Sequence, residues 1–282
     1  MGAGKIAFQG ESGAYSQVAC GLYAPGLEPL ACATFEEAFD AVSRGLADKA
    51  MVAVENSLAG RVSDVYHLLP DTDLSIVDEH FLPVHHQLMV VKGTDPAGIR
   101  TVRSHAMALG QCRGVIARRG LKPEIAGDTA GAARQLSETG ERDVAVIASA
   151  LAADLYGLEI IEADVEDAGH NTTRFMTMSR EPEFATRGDG KVITSFVFQV
   201  RNIPAALYKA MGGFATNAVN MTKLESYMRD GEFTATMFYA DIEGHPDEEP
   251  VRLALEELSF FSSTLKILGV YKADPYREKA GR

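Results

Sequence analysis

Short unbroken apolar runs alternating with amphipathic segments constrain this chain more than any other feature. Ala50-Met51-Val52-Ala53-Val54 has the length and character of a strand buried on both faces. Just before it, Phe35, Ala38, Phe39, Val42 and Leu46 share one helical face, and Thr34 with Glu37 makes a capping box at the helix start. The layout recurs: Ile99 to Val102 leads to Ser104, Glu124 to Ala126 leads to Asp128-Thr129, and Val144 to Ile147 leads to Ser149. Each strand ends in a residue able to cap the next helix. Strands alternating with helices predict an α/β sheet with helices on its faces. In such sheets ligands lie beyond the carboxyl ends of the strands, where helix N-termini offer unpaired N–H groups, so a small anion is the expected guest.

The chain has 282 residues, 46% of them hydrophobic, which is enough apolar material for more than one core and predicts two domains. Glu181 to Gly190 is aperiodic and rich in breakers, and the domain boundary is placed there. Beyond it the pattern reads strand Val192–Val200, helix Pro204–Thr216, strand Val219–Tyr227, strand Phe233–Ile242, helix Asp247–Leu258 and strand Thr264–Tyr271. Pro204 suits a first helical turn and Gly231 a hairpin turn. The order βαββαβ is ferredoxin-like.

Lys plus Arg number 27 against 39 Asp plus Glu, a net charge of −12 that disfavours nucleic acid and anionic membrane as partners. No apolar run approaches the ~18 residues needed to span a bilayer, and Met-Gly-Ala-Gly-Lys5 runs straight into a strand at Ile6, so a cytoplasmic location is expected. Cys20, Cys32 and Cys112 lack metal-type spacing and read as buried fillers; no metal is expected.

Three clusters carry polar chemistry at the right places. Gly10-Glu-Ser-Gly13-Ala14-Tyr15-Ser16 follows the first strand and opens a helix, without the full dinucleotide fingerprint. Glu55-Asn56-Ser57 puts three polar side chains at the end of a buried strand, where a plain cap needs only one. Asn171-Thr172-Thr173-Arg174-Phe175 leads an acidic turn into an apolar strand. Arginine can clamp a carboxylate through two hydrogen bonds and a hydroxyl can donate to a leaving oxygen. Taken alone, each cluster has a bland explanation: a turn, a helix cap, an edge strand with a solvated arginine. His85 and His86, beside Pro83 and Val84, read as structural, and His105 is ambiguous.

Together these motifs resemble the monofunctional prephenate dehydratases. The resemblance is carried by Gly13-Ala14-Tyr15-Ser16, Glu55-Asn56-Ser57 with Gly60, Ser104-His105 with Ala108-Leu109 and Gln111-Cys112, and above all Thr173-Arg174-Phe175. It implies a catalytic domain over 1–182 with two lobes like those of type II periplasmic binding proteins, one from 1–77 plus 165–182 and the other from 78–164. An ACT domain over 191–274 follows. It implies conversion of prephenate to phenylpyruvate, water and carbon dioxide without a cofactor, in phenylalanine synthesis.

In that reaction the electrons of the breaking bond to the ring carboxylate move into the ring and expel the ring hydroxyl, which leaves as water once protonated. Aromatisation drives the step. The enzyme must supply a donor at the departing hydroxyl and anion clamps for the side-chain carboxylate. The resemblance gives Thr173 the donor role, with a neighbour or water polarising it, and Arg174 the role of carboxylate clamp, or else of a brace between lobes. Phe175 would line the pocket or pack beneath it, and Glu55 would position the donor or hold the lobes in register. Ala14, Tyr15, Ser16, Asn56, Ser57, Ser104, Thr129, Ser149 and Asn171 are candidate substrate contacts.

Three motifs depart from the family. Ser-His-Pro-Gln-Ala-Leu is here Ser104-His105-Ala106-Met107-Ala108-Leu109, and in the ACT module Gly-Ala-Leu and Glu-Ser-Arg-Pro become Ala205-Ala206-Leu207 and Glu225-Ser226-Tyr227-Met228. The effector site implied by the resemblance, for phenylalanine, comprises Ala206, Leu207, Asn220, Met221, Glu225 and Ser226, in a homodimer or homotetramer. The extra methyl of Ala205 crowds a loop whose glycine lets backbone approach a ligand. Arogenate dehydratase, and a two-lobed sensor of amino acids or small anions, are the alternatives.

Overall fold

The computed structural model describes residues 4–201, 203–228 and 237–280, in two compact units. One comprises Met1–Ala41, Met51–Arg61 and Phe81–Phe175; the other comprises Val42–Ala50, Val62–His80 and Met176–Arg282. The second unit thus takes up two stretches that precede the aperiodic segment 181–190.

The strands are β1 Lys5–Gln9, β2 Glu28–Cys32, β3 Lys49–Asn56, β4 Gly60–Arg61, β5 Ser75–Pro83, β6 Gln87–Val91, β7 Thr101–His105, β8 Lys122–Ala126, β9 Val144–Ala148, β10 Leu158–Glu162 and β11 Thr172–Ser179. In the first unit one sheet has the order β11-β3-β1-β2, with β4 added to β3. Its apolar layer packs Ile6, Phe8, Cys20, Met51 and Phe175 together. A second sheet has the order β10-β6-β9-β7-β8. The parallel pairings of β7 with β8 and β9 follow from the helices that cross between them. This sheet lies within the span expected for the second lobe.

Half of the expected capping box forms: Glu37 N–H donates to Thr34 Oγ1, but the Glu37 carboxylate accepts from Ala33 N rather than from Thr34 N. One expected cap is corrected. His105, not Ser104, caps the next helix by accepting from Met107 N, because Ser104 points inward and donates to the Ile147 carbonyl at 2.6 Å. Of the expected pair Asp128-Thr129, Asp128 caps the helix Thr129–Thr139, since its carboxylate accepts from Gly131 N. The three cysteines are free and buried, as expected.

In the second unit β12 Val192–Val200, β13 Met221–Tyr227, β14 Met237–Glu243 and β15 Ser262–Lys272, with helices Ala206–Thr216 and Glu249–Phe261, realise the βαββαβ order. The sheet order is β13-β14-β12-β15-β5. β12 pairs antiparallel with β14 and β15, and both helices cover the core of Phe196, Phe198, Phe214 and Leu258. Pro204 stands before the helix rather than in its first turn, because Ala205 is the N-cap, at φ +61°. Gly231 and the start of the strand expected from Phe233 lie outside the described residues. Gly269 on β15 faces Ile76 of β5, where a Cβ would collide with the Ile76 backbone. Among the described residues no helix is long and apolar enough to cross a membrane.

Candidate active site

Asn56, at the end of β3, comes to the start of β11. Its Oδ1 accepts from the N–H groups of Leu58 and Ala59, both at 2.9 Å, so its Nδ2 is the edge that faces inward. That nitrogen donates to Asn171 Oδ1 at 2.8 Å and to Thr173 Oγ1 at 2.9 Å. Asn56 holds no acceptor towards Thr173. The hydroxyl oxygen therefore accepts there, and its own hydrogen is left to point elsewhere. Thr173 is half-buried while Asn171 is buried.

Successive residues of a strand leave it on opposite sides. Arg174 accordingly parts from Thr173: its guanidinium, 2% exposed, donates to Glu55 Oε1 at 3.0 Å and lies 5.9 Å from the Phe81 ring centroid. Glu55 and Arg174 sit on β3 and β11 of one sheet, so this pair joins neighbouring strands and not the two sheets of the unit. Phe175 is buried in the apolar layer, the packing alternative of the two expected for it.

Other expected contacts are spent on structure. The Ser57 hydroxyl donates to the His170 carbonyl and accepts from Thr172 N, which fixes β11 beside β3. Ser104 is committed to Ile147, and Ser149 donates to the Gly13 carbonyl while accepting from Ala152 N. Gly13 has φ +90°, and a Cβ there would stand 2.9 Å from Ala152 Cα. The helix Tyr15–Tyr23 differs from those beginning after His105, Asp128 and Ser149: its N-cap, Ala14, supplies no side-chain acceptor, and Ser16 lies in its first turn. An uncapped helix start favours an anion.

Tyr15 lies against His86, its hydroxyl 2.8 Å from His86 Nδ1 and 2.9 Å from the His85 carbonyl. Burial, then the fields of Cys112 and Glu166, hold the Tyr15 hydroxyl well above its ordinary pKa. His86 Nε2 meets Gln111 Oε1 at 2.9 Å, and the same oxygen accepts from Asn171 Nδ2 at 3.0 Å. Burial lowers the His86 pKa below its ordinary value of 6.5, against the opposing pull of Gln111 and Glu166. In the sequence His86 reads as structural, because its spacing from Gln111 and Asn171 has no local pattern. The sequence signal was a histidine beside a buried apolar run.

A cavity of about 520 Å³ is lined by Gln9, Gly10, Glu11, Cys32, Gly127 and Asp128 among others, beyond the carboxyl ends of β1, β2 and β8. Its carboxylates do not suit an anion, and Thr173 is not in its lining. His85, Asp164 and Glu166 bring metal-type ligand atoms together, but Glu166 already receives His85 Nδ1 and His86 N at 2.8 Å each. In the second unit Glu225 pairs with Lys223 at 3.1 Å, Asn220 donates to Glu243 at 3.0 Å, Ala206 is buried, and Leu207 and Met221 pack on the core. Ser226 is exposed on β13.

The family described as prephenate dehydratase matches residues 6–183. A protein of Komagataeibacter europaeus named bifunctional N-acyl-homoserine lactone acylase/prephenate dehydratase is 51% identical over 97% of this chain and 98% of its own. The Arabidopsis thaliana chloroplastic arogenate dehydratase/prephenate dehydratase 2 is 38% identical over 96% of this chain and 73% of its own. The crystal structure of an Arthrobacter aurescens prephenate dehydratase in complex with L-Phe superposes with a TM-score of 0.87 at 27% identity, covering 95% of this chain and 90% of that one.

Proposed function

The chain belongs to the prephenate dehydratase family, and we propose that it removes the ring carboxylate and ring hydroxyl of prephenate, giving phenylpyruvate, carbon dioxide and water. The observation that carries this reading is the Thr173 hydroxyl, which accepts from Asn56 and so keeps its hydrogen for a leaving oxygen. Threonine is too weak an acid to give up its proton unaided. Its part is to stabilise developing charge on the departing hydroxyl by a hydrogen bond, with a bound water completing the proton transfer. The uncapped start of the helix at Ala14-Tyr15-Ser16 supports a place for the side-chain carboxylate. The reaction calls for no cofactor.

Full chain incubated with prephenate should yield the absorbance of phenylpyruvate in base; no product would overturn the reading. Arogenate, which carries an ammonium group where prephenate has a keto oxygen, is a second reading favoured by the relative at 38% identity, and it would yield phenylalanine. The relative at 51% identity favours a third arm, an N-acyl-homoserine lactone, read as release of the free lactone amine.

The module over 191–274 is assigned as an ACT domain, on the support of its βαββαβ order, and the catalytic domain as 1–182. Phenylalanine is proposed as its effector, in a homodimer or homotetramer of cytoplasmic location. Titration of activity with phenylalanine in the parent and in Glu225→Ala tests the effector; light scattering tests the assembly.

A further inference from the structure

We propose that His86 is a positioning residue: with its proton on Nε2, it anchors the far end of the amide chain that aims the Thr173 hydroxyl. This rests on the dehydratase reading above.

The direction of every bond in that chain is dictated from one end. Leu58 and Ala59 offer backbone N–H groups, which can only donate, so Asn56 Oδ1 must lie on their side and Nδ2 on the other. Asn171 receives that nitrogen on Oδ1, so its own Nδ2 is the group that meets Gln111. Gln111 must then present Oε1, and the ring nitrogen that faces the same oxygen must carry hydrogen. The backbone at Leu58 and Ala59 thus fixes the tautomer of a histidine several side chains away. Rotating the Gln111 amide by half a turn would set its NH₂ against two donors at once, Asn171 Nδ2 and His86 Nε2, and this is how His86 locks the chain.

His86 is 3% exposed, so water does not replace its bond to Gln111. Its backbone N–H is held by Glu166 and its carbonyl accepts from Val165 N, which leave the ring little freedom to swing. Nδ1, left as a lone pair, lies 2.8 Å from the Tyr15 hydroxyl, whose single hydrogen it shares with the His85 carbonyl at 2.9 Å. Without the imidazole, Gln111 keeps a single donor, Asn171, and the amide can turn. Asn171 then loses its fixed partner and can turn its NH₂ towards Asn56 Nδ2, setting donor against donor; Asn56 Oδ1 keeps its backbone partners, but the Nδ2 that aims the Thr173 hydroxyl is pushed out of place.

Two substitutions separate the ring nitrogens. In His86→Gln the amide nitrogen falls near the Nε2 position and can still donate to Gln111; in His86→Asn it falls near Nδ1 and cannot. Steady-state turnover of prephenate by the full chain should show kcat reduced about tenfold in His86→Asn with KM held within about twofold, since one hydrogen bond used only to orient is lost. His86→Gln should recover to within about threefold of the parent. An unchanged kcat in His86→Asn, or equal losses in the two variants, would overturn the role. Independently of activity, nitrogen NMR of histidine-labelled protein at neutral pH should show His86 protonated on Nε2 and bare on Nδ1; the opposite tautomer overturns the proposal even where a variant fails to fold. A parent without turnover overturns the dehydratase reading and this role with it, whereas an active parent with an unaffected His86→Asn overturns this role alone.

Discussion

Arg277→Met removes a cation from between two carboxylates that have no exposed side-chain surface. Arg277 donates through Nε to Glu79 Oε1 at 2.6 Å and through Nη2 to Glu79 Oε2 at 2.8 Å, and Nη2 stands 3.6 Å from Asp241 Oδ2. Glu79 and Asp241 are both 0% exposed at the side chain, and Arg277 is 19% exposed. Asp241 also accepts from the Ser195 and Tyr239 hydroxyls, and Glu79 accepts from Asp274 N at 3.1 Å. These bonds remain in the variant, but none brings a positive charge.

Removing one partner of a buried ion pair costs about 3–5 kcal/mol, because the other charge is left uncompensated. A second route bounds the same number. A stranded carboxylate can escape by taking up a proton, and protonating a carboxyl of ordinary acidity at pH 7 costs about 3.7 kcal/mol. The expected loss is therefore about 3–4 kcal/mol at pH 7, a large part of the ~5–15 kcal/mol that a folded protein has. Urea denaturation at pH 7 and pH 5 measures it. The deficit relative to the parent should shrink by about 1.4 kcal/mol per pH unit as protonation becomes easier. Glu79→Gln added to Arg277→Met should recover part of it. A loss under about 1 kcal/mol, or a loss equal at both pH values, would refute the charge argument and leave only the packing of the arginine stem.

Asn56→Asp keeps the side chain's shape but replaces the donor at Thr173 by an acceptor, so the threonine hydrogen should turn to residue 56; turnover should fall at least about a hundredfold, as far as in Thr173→Ala, with folding intact. Arg174→Lys should lower the thermal midpoint by weakening the bond to Glu55 while changing KM for prephenate less than about twofold, and a large rise in KM would put the guanidinium back on the substrate. Ala205→Gly should raise stability by about 0.5–1 kcal/mol in thermal unfolding, because alanine at φ +61° is strained where glycine is not; a lower midpoint would count against it. His80 and His86 both have pKa values lowered by burial from 6.5, so the unfolded chain binds more protons than the folded one just below that value. Stability should be full above pH 6.5 and fall as the pH drops through the folded pKa values, with a shallower slope in His86→Gln.

Regular elements were legible wherever local pattern and burial coincide. The run from Ala50 to Val54 lies within β3, and the strand read at Val192–Val200 is β12. Caps were less so. Ser104 has the chemistry of a cap, but strand pleat turns it inward to Ile147 and leaves the cap to His105, while within the capable pair Asp128-Thr129 it is Asp128 that reaches Gly131 N. Which of two neighbouring capable residues caps is a matter of backbone phase, which residue type does not carry. Glu79, Asp241 and Arg277 were not read at all. Asp241 sits in an apolar strand, which is a signal that a carboxylate is buried, but its cation comes from another part of the chain and no periodicity connects them.

The motif Thr173-Arg174-Phe175 shows the same limit at the site itself. Read as a string, its members are neighbours and invite a shared task. Read as a strand, Thr173 and Phe175 leave one side and Arg174 the other, and the contacts divide accordingly between Asn56, the apolar layer and Glu55. The hydroxyl owes its aim to Asn56, and Asn56 owes its own orientation to backbone N–H groups at Leu58 and Ala59, where the side chain plays no part. A sequence motif can therefore mark the donor while hiding what directs it, since hydrogen-bond direction is set by the edge of each amide that the backbone claims first.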